Sequence, residues 1–141
     1  MNRGINKMDD GIILLVNVLN AVPYISTKSS CEGHFDSDDY RDYRANVIFD
    51  VATGYENENQ TFVKYVLSQV RDNWHDYLIH LYQEFIVPPA RISLDTQWMM
   101  TIEPFYPKHP NDLTEDEKRA SVDRGIQDVT EAVRKYSLIY P

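Results

Sequence analysis

The chain has 141 residues, a length typical of one domain, so we predict a single domain over residues 1–141. A composition of 43% hydrophobic and 26% charged residues matches a folded protein and excludes disordered and fibrous classes. Acidic residues outnumber basic ones by 22 to 14, and the net charge of −8 argues against general nucleic-acid binding. One cysteine and no apolar run long enough to cross a membrane predict a cytoplasmic protein without membrane association.

The first half of the chain is predicted to contain two helices and two strands. Apolar residues recur at helical spacing over about residues 9–21 and predict the first helix. The β-branched and aromatic run Tyr24–Thr27 predicts a strand that leads into a polar segment. Residues 36–43 are too charged for a core and predict an irregular loop. Beyond that loop, Ala45–Val51 predicts a second strand, and helical spacing predicts a helix from about Asn59 to Asn73.

The second half is predicted to contain three strands and a long final helix. Tyr77–Tyr82 predicts one strand, and Ile92–Leu94 and Trp98–Ile102 predict a pair joined by a tight turn at Asp95-Thr96. Thr114 is followed three residues later by a glutamate, which is the pattern of a capping box at a helix start.

An apolar stripe from Val122 to Tyr136 continues this final helix, and its charged residues, Arg119 and Asp128 among them, are expected to face water. The element order α, β, β, α, β, β, β, α then predicts the architecture. We expect an α+β fold with a mostly antiparallel sheet and helices packed on one face.

Polar and reactive side chains are concentrated between Thr27 and His34, directly after the first predicted strand. Small polar residues and a glycine at a strand end can direct hydroxyl and backbone N–H groups at one ligand. We therefore predict a ligand-binding turn here. Its candidate ligand-binding residues are Thr27, Ser29, Ser30 and Gly33, and its candidate catalytic residues are Cys31, Glu32 and His34.

Two kinds of chemistry stay open for this segment. Cys31 would be a nucleophile only if a histidine stabilised its thiolate, and the alternative is a small buried apolar side chain. A metal could use Glu32 with the scattered histidines of the chain, but no pair of residues has a diagnostic ligand spacing. Binding of a ligand is favoured over covalent chemistry.

The segment Thr27-Lys28-Ser29-Ser30-Cys31-Glu32-Gly33 follows Asp9-Asp10, Leu15-Val16, Leu19-Asn20 and Pro23. This arrangement resembles the opening of the tRNA wybutosine-synthesising protein 3 family, and the strand around His80 is similar to a strand of that family with a central histidine. The form Thr-x-x-Ser-Cys-Glu-Gly-His is also similar to small uncharacterised bacterial and phage proteins.

The resemblance implies an α+β fold different from the usual methyltransferase sheet. It implies S-adenosylmethionine as the methyl donor to a tricyclic guanine derivative in phenylalanine tRNA. By motif, Ser29, Ser30, Cys31 and Gly33 would line the ligand site, and His80 would lie beside it.

Three functions follow as hypotheses. The first is a cytoplasmic or phage-encoded domain that binds a nucleotide-like small molecule, for which the resemblance suggests S-adenosylmethionine. The second is a transferase or hydrolase with His34 or His80 as acid or base, assisted by Cys31 or Glu32, because histidine titrates near neutral pH. The third is an acidic interaction protein or inhibitor that acts by contact alone and binds a host protein partner through its negative surface. The sequence leaves the metal dependence and the oligomeric state open.

Overall fold

A computed structural model of the chain describes residues 10–36, 39–84, 96–109 and 112–141. These residues form three α-helices and a four-stranded antiparallel sheet, which confirms the predicted α+β fold with a mostly antiparallel sheet. In chain order the elements are α1 (Ile13–Asn20), β1 (Ile25–Cys31), β2 (Ala45–Val51), α2 (Glu56–Val70), β3 (Tyr77–Glu84), β4 (Thr96–Pro104) and α3 (Glu115–Ile139).

The strands lie in the order β1-β2-β4-β3, and every neighbouring pair is antiparallel. Residues paired directly across such strands share one face of the sheet. Val47 pairs with Met100, and Ala45 pairs with Ile102, and all four side chains are buried. This face of β2 and β4 is the one against which the helices pack, and we call the opposite side the open face.

All three helices lie on the buried side of the sheet, as predicted. α3 contacts α1, α2, β3 and β4, and α1 also contacts β1. Fully buried apolar side chains fill the space between these layers; they include Leu15 and Leu19 of α1, Phe62 and Val66 of α2, and Val129 and Val133 of α3. Removal of this apolar surface from water is the main favourable contribution to the folding of such a layer pair.

The long helix α3 starts at the predicted capping box. The Thr114 hydroxyl accepts the backbone N–H of Glu117 at 3.1 Å, and the Glu117 carboxylate accepts the backbone N–H of Thr114 at 2.9 Å. The helix then continues for 25 residues. The reciprocal bonds satisfy two backbone donors that would otherwise be unpaired at the helix start.

Several predicted boundaries are wrong. β1 continues through Ser29 and Ser30 to Cys31, so these residues belong to a strand and the turn begins only at Glu32. The predicted start of α2 is three residues late, because its first turn is polar and carries no apolar periodicity. Within the charged segment, Tyr40–Tyr43 forms a 3₁₀ turn, which we did not predict.

The predicted strand Ile92–Leu94 and Asp95 lie outside the described residues. Thr96 is not in a turn, because it begins β4 and pairs with Val51. Among the helices that the structure describes, none combines the length and the apolar character needed to cross a membrane.

Candidate functional site

The sheet register distributes the predicted site residues over both faces of β1. Ser29 pairs with Ile48 on the open face, whereas Ser30 pairs with Val47 on the face that the helices cover. The register shifts between Thr27 and Ser29, so one residue of β1 is unpaired there, as in a β-bulge. Ser29 and Ser30 therefore cannot contact one ligand from the same side.

Thr27 connects β1 to α1. Its backbone N–H donates to Asn20 Oδ1 at 2.9 Å, and its hydroxyl accepts from Asn20 Nδ2 at 2.9 Å. The Asn20 amide thus satisfies a backbone donor on this edge strand of the described sheet. These bonds give Thr27 a structural role, which a ligand would have to disrupt.

Four polar residues form one line across the open face, which we call the polar row. Cys31 of β1 pairs with Asn46 of β2, Asn46 pairs with Thr101 of β4, and Thr101 pairs with His80 of β3. Three strand spacings of about 4.8 Å separate the two ends of the row, so Cys31 and His80 lie about 14 Å apart. His80 therefore lies on the same face as Cys31 without contacting it, and its Nε2 is 3.3 Å from the Glu103 carboxylate.

A second line on the open face lies beside the polar row and is mainly apolar. Ser29 pairs with Ile48, Ile48 with Met99, and Met99 with Tyr82. The Tyr82 ring is exposed at the edge strand β3, and its hydroxyl donates to the Met99 sulfur at 2.8 Å. We call these four residues the apolar row. The open face thus places hydrogen-bonding groups next to an apolar strip.

Arg119 of α3 holds the turn that follows β1. Its guanidinium donates to the backbone carbonyl of Glu32 at 2.6 Å and to that of Gly33 at 3.2 Å. The same group lies 4.7 Å from the centre of the Phe35 ring. Arg119 was expected to face water, but its side chain is only 28% exposed because these contacts cover it. The arginine fixes the position of the turn relative to the helices.

The Glu32 carboxylate is engaged in the same cluster. It accepts the backbone N–H of Gly11 at 2.8 Å and lies 3.7 Å from Arg119. The charge of Glu32 therefore stabilises the junction of α1, β1 and α3. The catalytic role predicted for Glu32 stays a prediction beside these contacts.

Gly33 gives the turn its shape. It adopts φ +96°, a conformation that side chains rarely permit, and its N–H donates to the Cys31 sulfur at 3.4 Å. The next residue, His34, donates its backbone N–H to the Asp42 carbonyl at 2.7 Å, and its side chain is exposed. The backbone of the turn is thus fixed while the His34 imidazole faces solvent.

Sequence reasoning missed Asn46 and Thr101, which are the central members of the polar row. Nothing in the local sequence singles them out, because their alignment with Cys31 depends on the register of three strands. Thr101 is 3% exposed, whereas Cys31 and Asn46 are half-buried and His80 is exposed, so Thr101 is the least accessible member of the row. Within the described part of the chain, no group of three or more His, Cys, Asp or Glu residues could hold a metal ion.

The fold and the site define a small α+β protein whose antiparallel sheet carries helices on one face and two chemically distinct rows on the other. Comparison of the chain with protein-family models, with curated proteins and with solved structures gives no significant match.

Proposed function

We propose that the protein binds a nucleotide-like small molecule on the open face, next to the segment Ser29–His34. One observation carries this proposal: the polar row lies directly beside the apolar row, on the side of the sheet that the helices leave uncovered. A nucleoside has the matching chemistry, because its base is a flat apolar surface with a polar edge and its ribose carries hydroxyl groups.

The accessible residues of the two rows suggest how such a ligand would be held. Tyr82 is exposed and offers a ring on which a base can stack, and His80 is exposed two residues before it on the same face. Ser29 is exposed at the opposite edge of the described sheet and adds a hydroxyl. The net charge of −8 favours a small ligand over a polynucleotide, because a nucleic-acid backbone would be repelled.

Isothermal titration with S-adenosylmethionine and the four common nucleosides tests the proposal. Wild-type protein should bind at least one of them, and Tyr82→Ala should weaken that binding about tenfold, because loss of one base–aromatic stack has an effect of this order. Gln83→Ala is the matched control, because Gln83 pairs with Trp98 and points to the other face of the same strand. Absence of binding at millimolar concentrations of every probe would contradict the proposal and favour the acidic interaction protein or inhibitor.

Acid–base catalysis is a second candidate, and the contact between His80 and Glu103 favours it. The His80 Nε2 lies 3.3 Å from a carboxylate oxygen, and a carboxylate partner can orient an imidazole for proton transfer. A ligand found by titration would be incubated with the protein and its products identified by mass spectrometry. Turnover that is abolished in His80→Gln, while the variant keeps its affinity for the ligand, would support an enzyme. If the wild type leaves the ligand chemically unchanged, catalysis is contradicted and only the binding function stands.

A further inference from the structure

The outer side of β3 is unpaired in the described sheet. The strands lie in the order β1-β2-β4-β3, so β3 has a neighbour on one side only. Natural sheets protect such an edge with lysine, proline or a bulge. β3 contains neither lysine nor proline, it pairs with β4 without a shift of register, and its only acidic residue, Glu84, is the last residue of the strand. The edge therefore keeps its capacity to pair with another strand.

Exposed apolar side chains lie along this edge. Leu78 is 37% exposed and Tyr82 is 42% exposed, and both lie on the open face. Trp74, which precedes the strand, is 53% exposed and lines the same cavity as Leu78. Single apolar residues on a surface are common, whereas a group of them beside an unprotected strand indicates an interaction surface.

The cavity that Trp74 and Leu78 share has a volume of about 260 Å³. It is also lined by Leu67 and Val70 of α2 and by the whole run Tyr77–Ile79 of β3. Side chains of consecutive strand residues point to opposite faces, so a cavity that touches all three lies at the edge of the strand. The other edge is covered by β4. A strand added to β3 therefore has room here for an apolar side chain.

The apolar pattern of β3 is symmetric about His80. Leu78 and Tyr82 lie two residues away on either side, and Ile79 and Leu81 lie one residue away. A two-fold axis at His80 pairs two copies of the strand antiparallel and places Leu78 of one copy opposite Tyr82 of the other. It also places Ile79 opposite Leu81 of the second copy. Because Ile79 lines the cavity, that leucine lies over it.

We propose that the protein forms a two-fold dimer in which β3 pairs antiparallel with β3 of a second copy, with the axis at His80. A second copy is favoured over another strand, because only self-association requires a pattern that is the same in both directions. The charge distribution agrees with this choice. Two chains of net charge −8 repel each other, and the run Tyr77–Gln83 contains no aspartate, glutamate, lysine or arginine.

This inference goes beyond the proposed function and does not depend on it. The dimer joins two four-stranded sheets into one, so the two open faces become continuous. Leu78 of the second copy then lies beside Tyr82 and extends the apolar row across the axis. Each copy would thus contribute a side chain to the binding face of the other.

Sedimentation velocity of the full chain without ligand tests the dimer. The wild type should change from monomer to dimer as its concentration rises through the micromolar range. Leu78→Lys should raise the dissociation constant of the dimer at least about tenfold, because the symmetry makes the lost contact count twice and lysine blocks edge pairing. Glu103 pairs with Leu78 across β4 and should accommodate the lysine in the monomer. Leu14→Lys is the matched control, since Leu14 is an exposed leucine of α1, and it should keep the wild-type dissociation constant.

Cysteine cross-linking tests the register. Residues directly opposite each other on antiparallel strands have Cα atoms about 4.5–5.5 Å apart, which a disulfide can span. His80→Cys should therefore give a disulfide-linked dimer under mild oxidation, and mass spectrometry of the linked peptides distinguishes position 80 from Cys31. Leu78→Cys is the control, because its two copies would lie about 14 Å apart and should not be linked.

The outcomes separate this inference from the proposed function. A wild type that stays monomeric at every concentration would overturn the dimer and leave the nucleotide-binding face standing, because no ligand is present. Equal weakening by Leu78→Lys and Leu14→Lys would reflect charge alone, and a dimer that Leu78→Lys leaves unchanged would use another surface; either result overturns the proposal. A cross-link in Leu78→Cys instead of His80→Cys would overturn the register. Circular dichroism checks the fold of each variant, and if Leu78→Lys does not fold, the cross-link at position 80 decides.

Discussion

Gly125 of α3 lies so close to Ile102 of β4 that a β-carbon on the glycine would be 2.5 Å from Ile102 Cγ2. The same β-carbon would lie 3.1 Å from the ring of Tyr77. Both neighbours are buried in the sheet, so neither can move away freely. The absence of a side chain at Gly125 thus allows the helix to lie directly on β3 and β4.

We predict that Gly125→Ala destabilises the protein. Alanine is more favourable than glycine in a helix by about 1 kcal/mol, but overpacking a core costs about 1–3 kcal/mol, and a contact as short as 2.5 Å belongs to the upper part of that range. The free energy of unfolding should therefore fall by about 1–2 kcal/mol. Urea denaturation of the two proteins measures the difference. Gln127→Ala, at an exposed position of the same helix, should change stability by less than about 0.5 kcal/mol. A more stable Gly125→Ala variant would show that the helix can move away from the sheet.

Arg119 provides the second prediction, because it binds two carbonyls of the turn through one planar group. Lysine keeps the charge but not the forked geometry, so Arg119→Lys should lower the free energy of unfolding by about 1–2 kcal/mol. It should also speed amide hydrogen exchange at residues 33–35, which report the order of the turn. Arg134→Lys is the control, since Arg134 bonds only to Glu131 within the described residues. Unchanged exchange in Arg119→Lys would contradict the positioning role.

The sequence predicted those elements that depend on local patterns. The capping box at Thr114 and the strand Ala45–Val51 are correct, because capping and alternation are properties of a few neighbouring residues. The burial of Lys118 and Arg119 was not predictable, since both lie in the charged first turns of α3 and are covered only by residues distant in the chain. The polar row was missed for the same reason, because it exists only once all four strands are aligned.

Alkaline pH should destabilise the protein in part through Tyr106. Its pKa is raised from 10.0 to about 12 in the folded state, mainly by burial. The folded state therefore favours the protonated phenol; this contribution to stability is complete below pH 10 and is lost as pH rises to about 12. Burial raises the pKa values of Tyr24 and Tyr77 as well, so the loss has several sources.

Tyr106→Phe isolates the part of this alkaline loss of stability that is due to Tyr106. Its free energy of unfolding should fall less steeply than that of the wild type between pH 10 and pH 12, as followed by urea denaturation. At neutral pH the variant should be as stable as the wild type or more so, because the substitution removes a buried hydroxyl that has no hydrogen-bond partner among the described residues. Tyr55→Phe, at an exposed tyrosine, should keep the wild-type slope. Identical slopes for Tyr106→Phe and the wild type would contradict the assignment.

Two glycines with the same backbone conformation allow the steric requirements of the turn after β1 to be separated from the backbone strain that any side chain would cause at such a glycine. Gly33 and Gly54 both adopt φ +96°. A β-carbon on Gly33 would lie 3.2 Å from the Phe35 ring and 3.3 Å from the Arg44 backbone, whereas one on Gly54 would meet no atom within 4 Å. Alanine at Gly54 therefore adds backbone strain alone, of about 1 kcal/mol, and alanine at Gly33 adds a steric contact to the same strain.

We predict that Gly33→Ala lowers the free energy of unfolding by at least about 1 kcal/mol more than Gly54→Ala does. Urea denaturation gives both values, and titration with the ligand found for the wild type gives the second comparison. Gly33→Ala should weaken ligand binding, because it displaces the turn that Arg119 holds beside the open face, and Gly54→Ala should leave it unchanged. If both variants bind the ligand as the wild type does, the shape of the turn is not required for binding, and the binding surface lies farther along the sheet, toward His80 and Tyr82.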